Sequence, residues 1–136
     1  MQNLVLTRID DRLIHGQVMT AWIKNRKADQ VVIVDDGTAN DEYMIEVLEM
    51  AIPEEIAIGI FTKEEGVQFF EQGLDAPTIL LVKGPEALNY LVDHALPLRK
   101  WMSEAWVPEL IEVCCIRISQ QVLRKIRRSL NYWRRM

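Results

Sequence analysis

The sequence predicts an α/β domain with three layers: an open, mainly parallel β-sheet between two layers of helices. Four short runs are continuously apolar, which is typical of strands covered on both faces. Each run is followed by a segment in which apolar residues recur with helical spacing. Right-handed crossovers bring the loops after all four strands to one edge of such a sheet. The predicted strands are Leu4–Ile9, Gln30–Val34, Ile56–Phe61 and Pro77–Val82.

Apolar spacing also predicts the first two helices. The first begins at Gly16 and continues through Ile23. The second carries apolar residues at helical spacing over Tyr43–Ala51, and we expect these side chains in the core. Thr38 or Asn40 is expected to cap its start, and the residues from Pro53 onward cannot continue it.

The third and fourth helices have clear start and stop signals. Thr62 followed by Glu65 is a capping-box pattern, and the helix that it opens ends at Gly73. Pro85 suits the first turn of the fourth helix, which ends near His94. Each predicted strand is therefore followed by one helix, up to about residue 97.

The stretch with the richest chemistry is Arg8–Val18, R-I-D-D-R-L-I-H-G-Q-V, which joins the first strand to the first helix. It places His15 directly before a helix N-terminus, where unpaired backbone N–H groups favour an anion. Ligands of open α/β sheets bind at this edge. An imidazole can accept a phosphoryl group there, and guanidinium groups can neutralise the phosphoryl oxygens. The charged residues that precede His15 are Arg8, Asp10, Asp11 and Arg12.

This string resembles the opening of the IIB component of the mannose–fructose–sorbose family of sugar phosphotransferase systems. The resemblance covers about residues 1–98. It implies a phosphocarrier in which His15 accepts a phosphoryl group from the phosphohistidine of a IIA partner. The group then passes to the C6 hydroxyl of a hexose-type sugar held by the membrane components IIC and IID. Such a protein works in the cytoplasm, at the inner face of the cell membrane.

The resemblance, read with the chemistry of the loop, assigns roles around His15. Arg12 is the first choice for neutralising phosphoryl charge, and Arg8 is the second. The backbone N–H groups of Gly16 and Gln17 would complete the phosphoryl-binding cradle.

Four carboxylates near the same edge have two interpretations each. Asp10 or Asp11 is expected either to orient the imidazole or a guanidinium by hydrogen bonding or to cap the turn, because a carboxylate beside a phosphoryl group repels it. Asp35 and Asp36 follow the second strand, and capping of their loop is favoured over a direct role.

Two other functions compete with this prediction. A magnesium-dependent receiver domain has an acidic pair after its first strand, but it needs an aspartate at the end of the third strand, where Phe61-Thr62-Lys63 stand here. A non-catalytic binding or regulatory relative would keep the fold and transfer nothing. An acid-labile phosphohistidine separates these functions, since a receiver forms an acyl phosphate and an inert module forms no phosphorylated residue.

Residues 101–136 differ in composition from residues 1–100, which we assign to the IIB-like domain. The C-terminal segment has no glycine, three of the four tryptophans, and seven basic against three acidic side chains. The range Ile118–Tyr132 has the pattern of an amphipathic basic helix, which is typical of a membrane-surface element.

A frameshift is the explanation we prefer for this segment. Codon degeneracy permits another reading frame that resembles the family's arginine-bearing loop, strand and acidic helix. A frameshifted segment would be disordered or opportunistically helical, leaving the edge of the fourth or later strands poorly covered. The nucleotide sequence around codons 97–103 tests this hypothesis, and a frame without an insertion or deletion relative to close relatives would contradict it.

Charge and composition argue against several other classes of function. The net charge of −4 gives no reason to expect a nucleic-acid partner. No apolar run approaches the roughly 20 residues that span a bilayer, and we expect no signal peptide. Adjacent Cys114 and Cys115 favour neither a disulfide framework nor a metal site. We expect no metal and no cofactor. Members of the family that this chain resembles pair with a second copy, so the sequence leaves the choice between a monomer and a homodimer open.

Overall fold

The computed structural model describes residues 4–10, 12–13, 16–95 and 111–113, with the backbone alone for residues 16–19 and 111–113. In this part of the chain five strands form one parallel sheet. They are β1 (Leu4–Ile9), β2 (Gln30–Val34), β3 (Ala57–Phe61), β4 (Thr78–Val82) and β5 (Ile111–Val113). The strand order is β3-β2-β4-β1-β5, so all described carboxyl ends lie at one edge.

Helices cover both faces of the sheet, which confirms the predicted three-layer fold. Side chains of the first and third helices, such as Ile23 and Leu48, form one buried cluster with the sheet. Side chains of the fourth and fifth helices, such as Phe70 and Leu91, form the other. The helices are α1 (Gly16–Arg26), α2 (Asp36–Ala39), α3 (Glu42–Ala51), α4 (Lys63–Glu71) and α5 (Pro85–His94).

A β-bulge in β1 sets the direction of its last side chains. The register of β1 against β4 shifts between Leu4 and Leu6. Leu4 packs in the cluster under α4 and α5, whereas Leu6 packs in the cluster under α1 and α3. Because alternate residues of a strand share a face, Arg8 and then Asp10 follow Leu6 onto the α1 side. The bulge therefore directs both charged side chains to the face of the sheet that α1 covers.

The local signals at α4 and α5 are confirmed. Thr62 Oγ1 accepts a hydrogen bond from the Glu65 N–H at 3.3 Å, and the Glu65 carboxylate accepts one from the Thr62 N–H at 2.9 Å. Gly73, just after α4, has a φ of +86°, a left-handed conformation that glycine adopts without strain. Pro85 begins α5.

The prediction that Thr38 or Asn40 caps α3 is wrong. Asp41 is the N-cap, and its carboxylate accepts a hydrogen bond from the Met44 N–H at 3.2 Å. The short helix α2 intervenes, so that Thr38 lies inside α2 and Asn40 at its end. A short sequence with several residues that can cap a helix does not by itself specify which one the helix uses.

Fewer side chains of α3 are buried than the sequence predicts. Leu48 is buried, but the side chain of Tyr43 is 73 % exposed and Ala51 is exposed. The helix lies over the β3 side of the sheet, where the strand itself is only half-buried, and therefore a single narrow stripe of α3 reaches apolar neighbours.

The segment after residue 100 contributes a strand to the sheet, which corrects the expectation of a wholly disordered or helical tail. Within this segment β5 pairs in parallel with β1, from Thr7 opposite Ile111 to Ile9 opposite Val113. The edge expected at the fourth or later strands does not fall on β4, which lies between β2 and β1, but among the described strands the later strand β5 does lie at one edge. The range 118–132 lies outside the described residues, and the division at residue 100 stays a prediction.

Candidate functional site

The loop after β1 begins with a tight, buried turn. The Asp10 N–H donates to the Val82 carbonyl at 2.9 Å, and the Leu13 N–H donates to the Asp10 carbonyl at 3.1 Å. Leu13 has a φ of +56°, a conformation that costs a residue with a side chain about 1–2 kcal/mol. Burial of the Leu13 side chain offsets this cost, since a buried leucine contributes about 1.5–3 kcal/mol. Core packing thus holds the loop in its strained shape.

The Asp10 carboxylate joins the two arginines of this loop. It is fully buried, and its Oδ1 accepts a hydrogen bond from the Arg12 backbone N–H at 3.0 Å. The Arg12 Nε lies 3.4 Å from the same oxygen, and the Arg8 Nε lies 3.5 Å from Oδ2. A buried carboxylate needs such partners to remain charged. Asp10 therefore fixes the positions of both guanidinium groups relative to the end of β1.

The two arginines differ in their access to solvent. The side chain of Arg8 is 9 % exposed, and its Cζ lies 3.6 Å from the centroid of the Trp22 ring on α1. The side chain of Arg12 is 56 % exposed. Arg12 is therefore the arginine of this loop that a ligand from solvent can reach directly, whereas Arg8 is covered by protein.

The start of α1, four residues after Arg12 in the sequence, supplies further backbone donors. Gly16 and Gln17 are its first two residues, and the first N–H groups of an α-helix have no partner within the helix. His15 directly precedes Gly16 in the sequence. His15 and Asp11 themselves lie outside the described residues.

A second group of charges lies at the ends of β2 and β3. Asp35 caps α2 by accepting hydrogen bonds from the Thr38 N–H at 2.9 Å and the Thr38 hydroxyl at 2.7 Å. Asp36 accepts a hydrogen bond from the Lys63 N–H at 2.8 Å, and its carboxylate lies 3.4 Å from the Lys63 Nζ. The capping interpretation therefore describes Asp35, while Asp36 connects the second and third loops. The pairing of Asp36 with Lys63 was not evident from the sequence, because 27 residues separate the two partners.

These two groups of charges share one edge but stand apart. A small pocket of about 100 Å³ is lined by Asp35, Asp36, Lys63 and Gly84 with two residues of α5. Two strand spacings of roughly 5 Å separate β2 from β1, so Asp36 and Asp10 stand about 10 Å apart at the level of the backbone.

The described residues contain no group of three side chains with the chemistry to hold a metal ion. None of the helices in this part of the chain is long and apolar enough to cross a bilayer. The Arg12 guanidinium, which is accessible to solvent, and the N–H groups at the start of α1 are both groups that bind anions.

Comparisons with known proteins show which family this chain resembles. A family model described as the sorbose-subfamily IIB component of the phosphotransferase system matches residues 4–102. The N-acetylgalactosamine-specific IIB component 2 of Escherichia coli is 36 % identical over 101 residues, or 74 % of this chain and 64 % of that protein. The fructose-specific EIIB component of Bacillus subtilis is 32 % identical over 103 residues, or 73 % of this chain and 62 % of that protein.

A solved structure of a IIB domain has a fold similar to that of this chain. The IIB domain of the sorbose permease from Klebsiella pneumoniae superposes with a TM-score of 0.63 at 33 % identity, covering 68 % of this chain and 58 % of that one. The chain thus spans less than two thirds of the length of these relatives.

Proposed function

We propose that this chain, which belongs to the sorbose subfamily of IIB components of the sugar phosphotransferase system, carries a phosphoryl group on His15. The donor is the phosphohistidine of a IIA protein, and the acceptor is a hexose-type sugar bound by the membrane components IIC and IID. The relatives are named for N-acetylgalactosamine, fructose and sorbose, so the family alone leaves the sugar open.

One observation carries this proposal. At the carboxyl end of β1, buried Asp10 holds Arg12 through two contacts, while the Arg12 side chain stays open to solvent. A guanidinium fixed in this way neutralises phosphoryl oxygens without reorganising during transfer, which is the main source of catalysis in phosphoryl transfer. Its position three residues before His15 places that charge within the same short loop.

The reaction consists of two displacements at phosphorus. In the first, a ring nitrogen of His15 forms a P–N bond while the P–N bond of the donor imidazole breaks. In the second, the P–N bond of His15 breaks while the sugar C6 oxygen loses its proton and forms a P–O bond. Arg12 and the N–H groups of Gly16 and Gln17 stabilise the three phosphoryl oxygens in both steps.

The remaining site residues take supporting roles in this proposal. Asp10 orients Arg12 and Arg8 and does not contact the phosphoryl group, since a carboxylate would repel it. Asp36 and Lys63 stand on the neighbouring part of the edge, where a docking IIA or permease surface would approach. In the cell, transfer to a bound sugar places the chain at the inner face of the membrane through these partners.

The proposal is tested by phosphorylating the chain and locating the label. The chain is incubated with phosphoenolpyruvate, the general phosphotransferase proteins and a IIA partner, and peptides are mapped under conditions that preserve phosphohistidine. The chain contains two histidines, so His15→Ala and His94→Ala form a matched pair of variants. His94 is exposed at the end of α5, away from the carboxyl edge of the sheet.

We expect an acid-labile label on the His94→Ala protein and none on the His15→Ala protein, with both proteins folded by circular dichroism. A label that survives in His15→Ala would contradict the assignment. A folded wild-type chain that takes no label would favour the alternative, an inert binding or regulatory relative. An acid-stable or acyl-phosphate label would contradict histidine chemistry altogether.

A further inference from the structure

We propose that Trp22 is a positioning residue for phosphoryl transfer, acting on Arg12 through Arg8 and Asp10. This inference rests on the proposed function and adds to it a residue outside the Arg8–Val18 motif. Trp22 lies in the second turn of α1, seven residues after His15, and its type alone predicts only a core side chain.

The contact between Trp22 and Arg8 has the geometry of a cation–π interaction. The Arg8 Cζ lies 3.6 Å from the centroid of the Trp22 ring, well within the roughly 6 Å over which a cation is attracted to a ring face. Trp22 is half-buried and packs against the cluster under α1 and α3. Arg8 is nearly covered, so little water screens the attraction.

The same guanidinium also forms an ion pair with the carboxylate of Asp10, whose Oδ2 lies 3.5 Å from the Arg8 Nε. A flat guanidinium between a ring face and a carboxylate has few orientations available, and Asp10 is thereby restrained as well. The Arg12 backbone and side chain both bind the Asp10 oxygen that faces them. A displacement of Arg8 would therefore shift Asp10 and, through it, the exposed guanidinium that meets the phosphoryl group.

The structure offers a reason why this position is aromatic. Arg8 is carried into the layer beneath α1 by the β1 bulge, where apolar side chains alone would leave its charge poorly solvated. A ring face accepts the cation and still packs as an apolar surface. A leucine would fill part of the volume but could not hold the guanidinium plane.

Three variants separate this role from plain packing. Trp22→Leu removes the ring face, Trp22→Phe keeps one, and Ile23→Val loosens the same core cluster while keeping the Trp22 ring over Arg8. The measured quantity is the rate of transfer from a radiolabelled phospho-IIA protein, as a function of its concentration, on proteins shown to be folded.

We expect Trp22→Leu to lower the maximal rate at least tenfold with little change in the concentration of phospho-IIA that gives half of it. Trp22→Phe should stay within about threefold of the wild-type rate, and Ile23→Val should leave the rate unchanged. A rate for Trp22→Leu equal to that of Ile23→Val would overturn the inference, and so would equal losses in the leucine and phenylalanine variants.

A double-mutant cycle tests the route through Arg8. Arg8→Met removes the guanidinium, so adding Trp22→Leu to it should lower the rate no further. Losses that multiply would show that Trp22 acts by another path and would overturn the inference. If the wild-type chain takes no label, the proposed function fails and the role of Trp22 in transfer fails with it. A labelled wild-type chain with an unaffected Trp22→Leu variant refutes only the inference.

Discussion

Removal of the Asp10 carboxylate is the most informative change to the stability of this fold. In Asp10→Ala the guanidinium of Arg8, which is 9 % exposed, loses the carboxylate that faces it, and the Arg12 N–H loses its acceptor. Removal of one partner of a buried ion pair costs about 3–5 kcal/mol, because the other charge stays buried without compensation. Since domains have about 5–15 kcal/mol of stability in total, this single change removes a large part of it.

Asp36→Ala is the matched control at the same edge of the sheet. Its carboxylate also meets a basic side chain, but the Asp36 side chain is 50 % exposed and that of Lys63 is 36 % exposed. Exposed ion pairs contribute about 0–1 kcal/mol, and the exposed Lys63 N–H that Asp36 accepts can bond to water instead, so this control should cost about 1 kcal/mol or less. The same chemical change is thus expected to differ severalfold in effect between the two positions, because one carboxylate is buried and the other is not.

Urea unfolding followed by circular dichroism measures the difference. With a slope of about 2 kcal/mol/M, a loss of about 4 kcal/mol lowers the midpoint by about 2 M for Asp10→Ala, against about 0.5 M or less for Asp36→Ala. Added salt should reduce the midpoint shift of Asp36→Ala and leave that of Asp10→Ala nearly unchanged, because salt screens the exposed ion pair far more than the buried one. Equal midpoint shifts in the two variants would refute the reasoning that burial makes Asp10 the structural centre of the loop.

The remaining predictions concern the exposed arginine and the packing of α4. Arg12→Lys should slow transfer to His15 about ten- to a hundredfold. The reason is that a charge-assisted contact of about 1.5–3 kcal/mol is lost when a point charge replaces a planar donor. An unchanged single-turnover rate would remove Arg12 from the mechanism. Gly66→Ala should lower the free energy of unfolding by up to about 2 kcal/mol. The new Cβ would lie 3.0 Å from Val34 and 3.2 Å from Leu91. The resulting overpacking costs about 1–3 kcal/mol, which exceeds the gain of about 1 kcal/mol in helix propensity. A more stable Gly66→Ala protein in the same urea titration would show that the sheet gives way to the methyl group.

The local chemistry of the sequence determined where most elements begin and end. The capping box at Thr62, the glycine after α4 and Pro85 at the start of α5 act through neighbours within four residues, and all are where the pattern predicts them. The continuous apolar character of the first four strands likewise determined a sheet that is covered on both faces. Such features are readable because the atoms that satisfy them come from the same stretch of chain.

The position of the candidate site was readable for a related reason. A motif that joins a strand to a helix lies at the carboxyl edge of any parallel sheet, and the turn from Asp10 to Leu13 is where the sequence predicts it. The sequence also identified Arg8, Asp10 and Arg12 as one charged group, although it ranked both arginines as phosphoryl ligands without distinguishing a buried one from an exposed one.

Only the tertiary structure decided which of these side chains faces solvent. The bulge in β1 arises from its pairing with β4, some 70 residues away, and it determines that Arg8 points beneath α1 toward Trp22. The contact of Asp36 with Lys63 and the pairing of β5 with β1 likewise depend on the order of strands, which no local pattern encodes. The sequence by itself determined the elements and the chemical groups at the edge of the sheet. The packing of distant segments decided their exposure and their partners, because burial is a property of the assembled layers and not of any one stretch of chain.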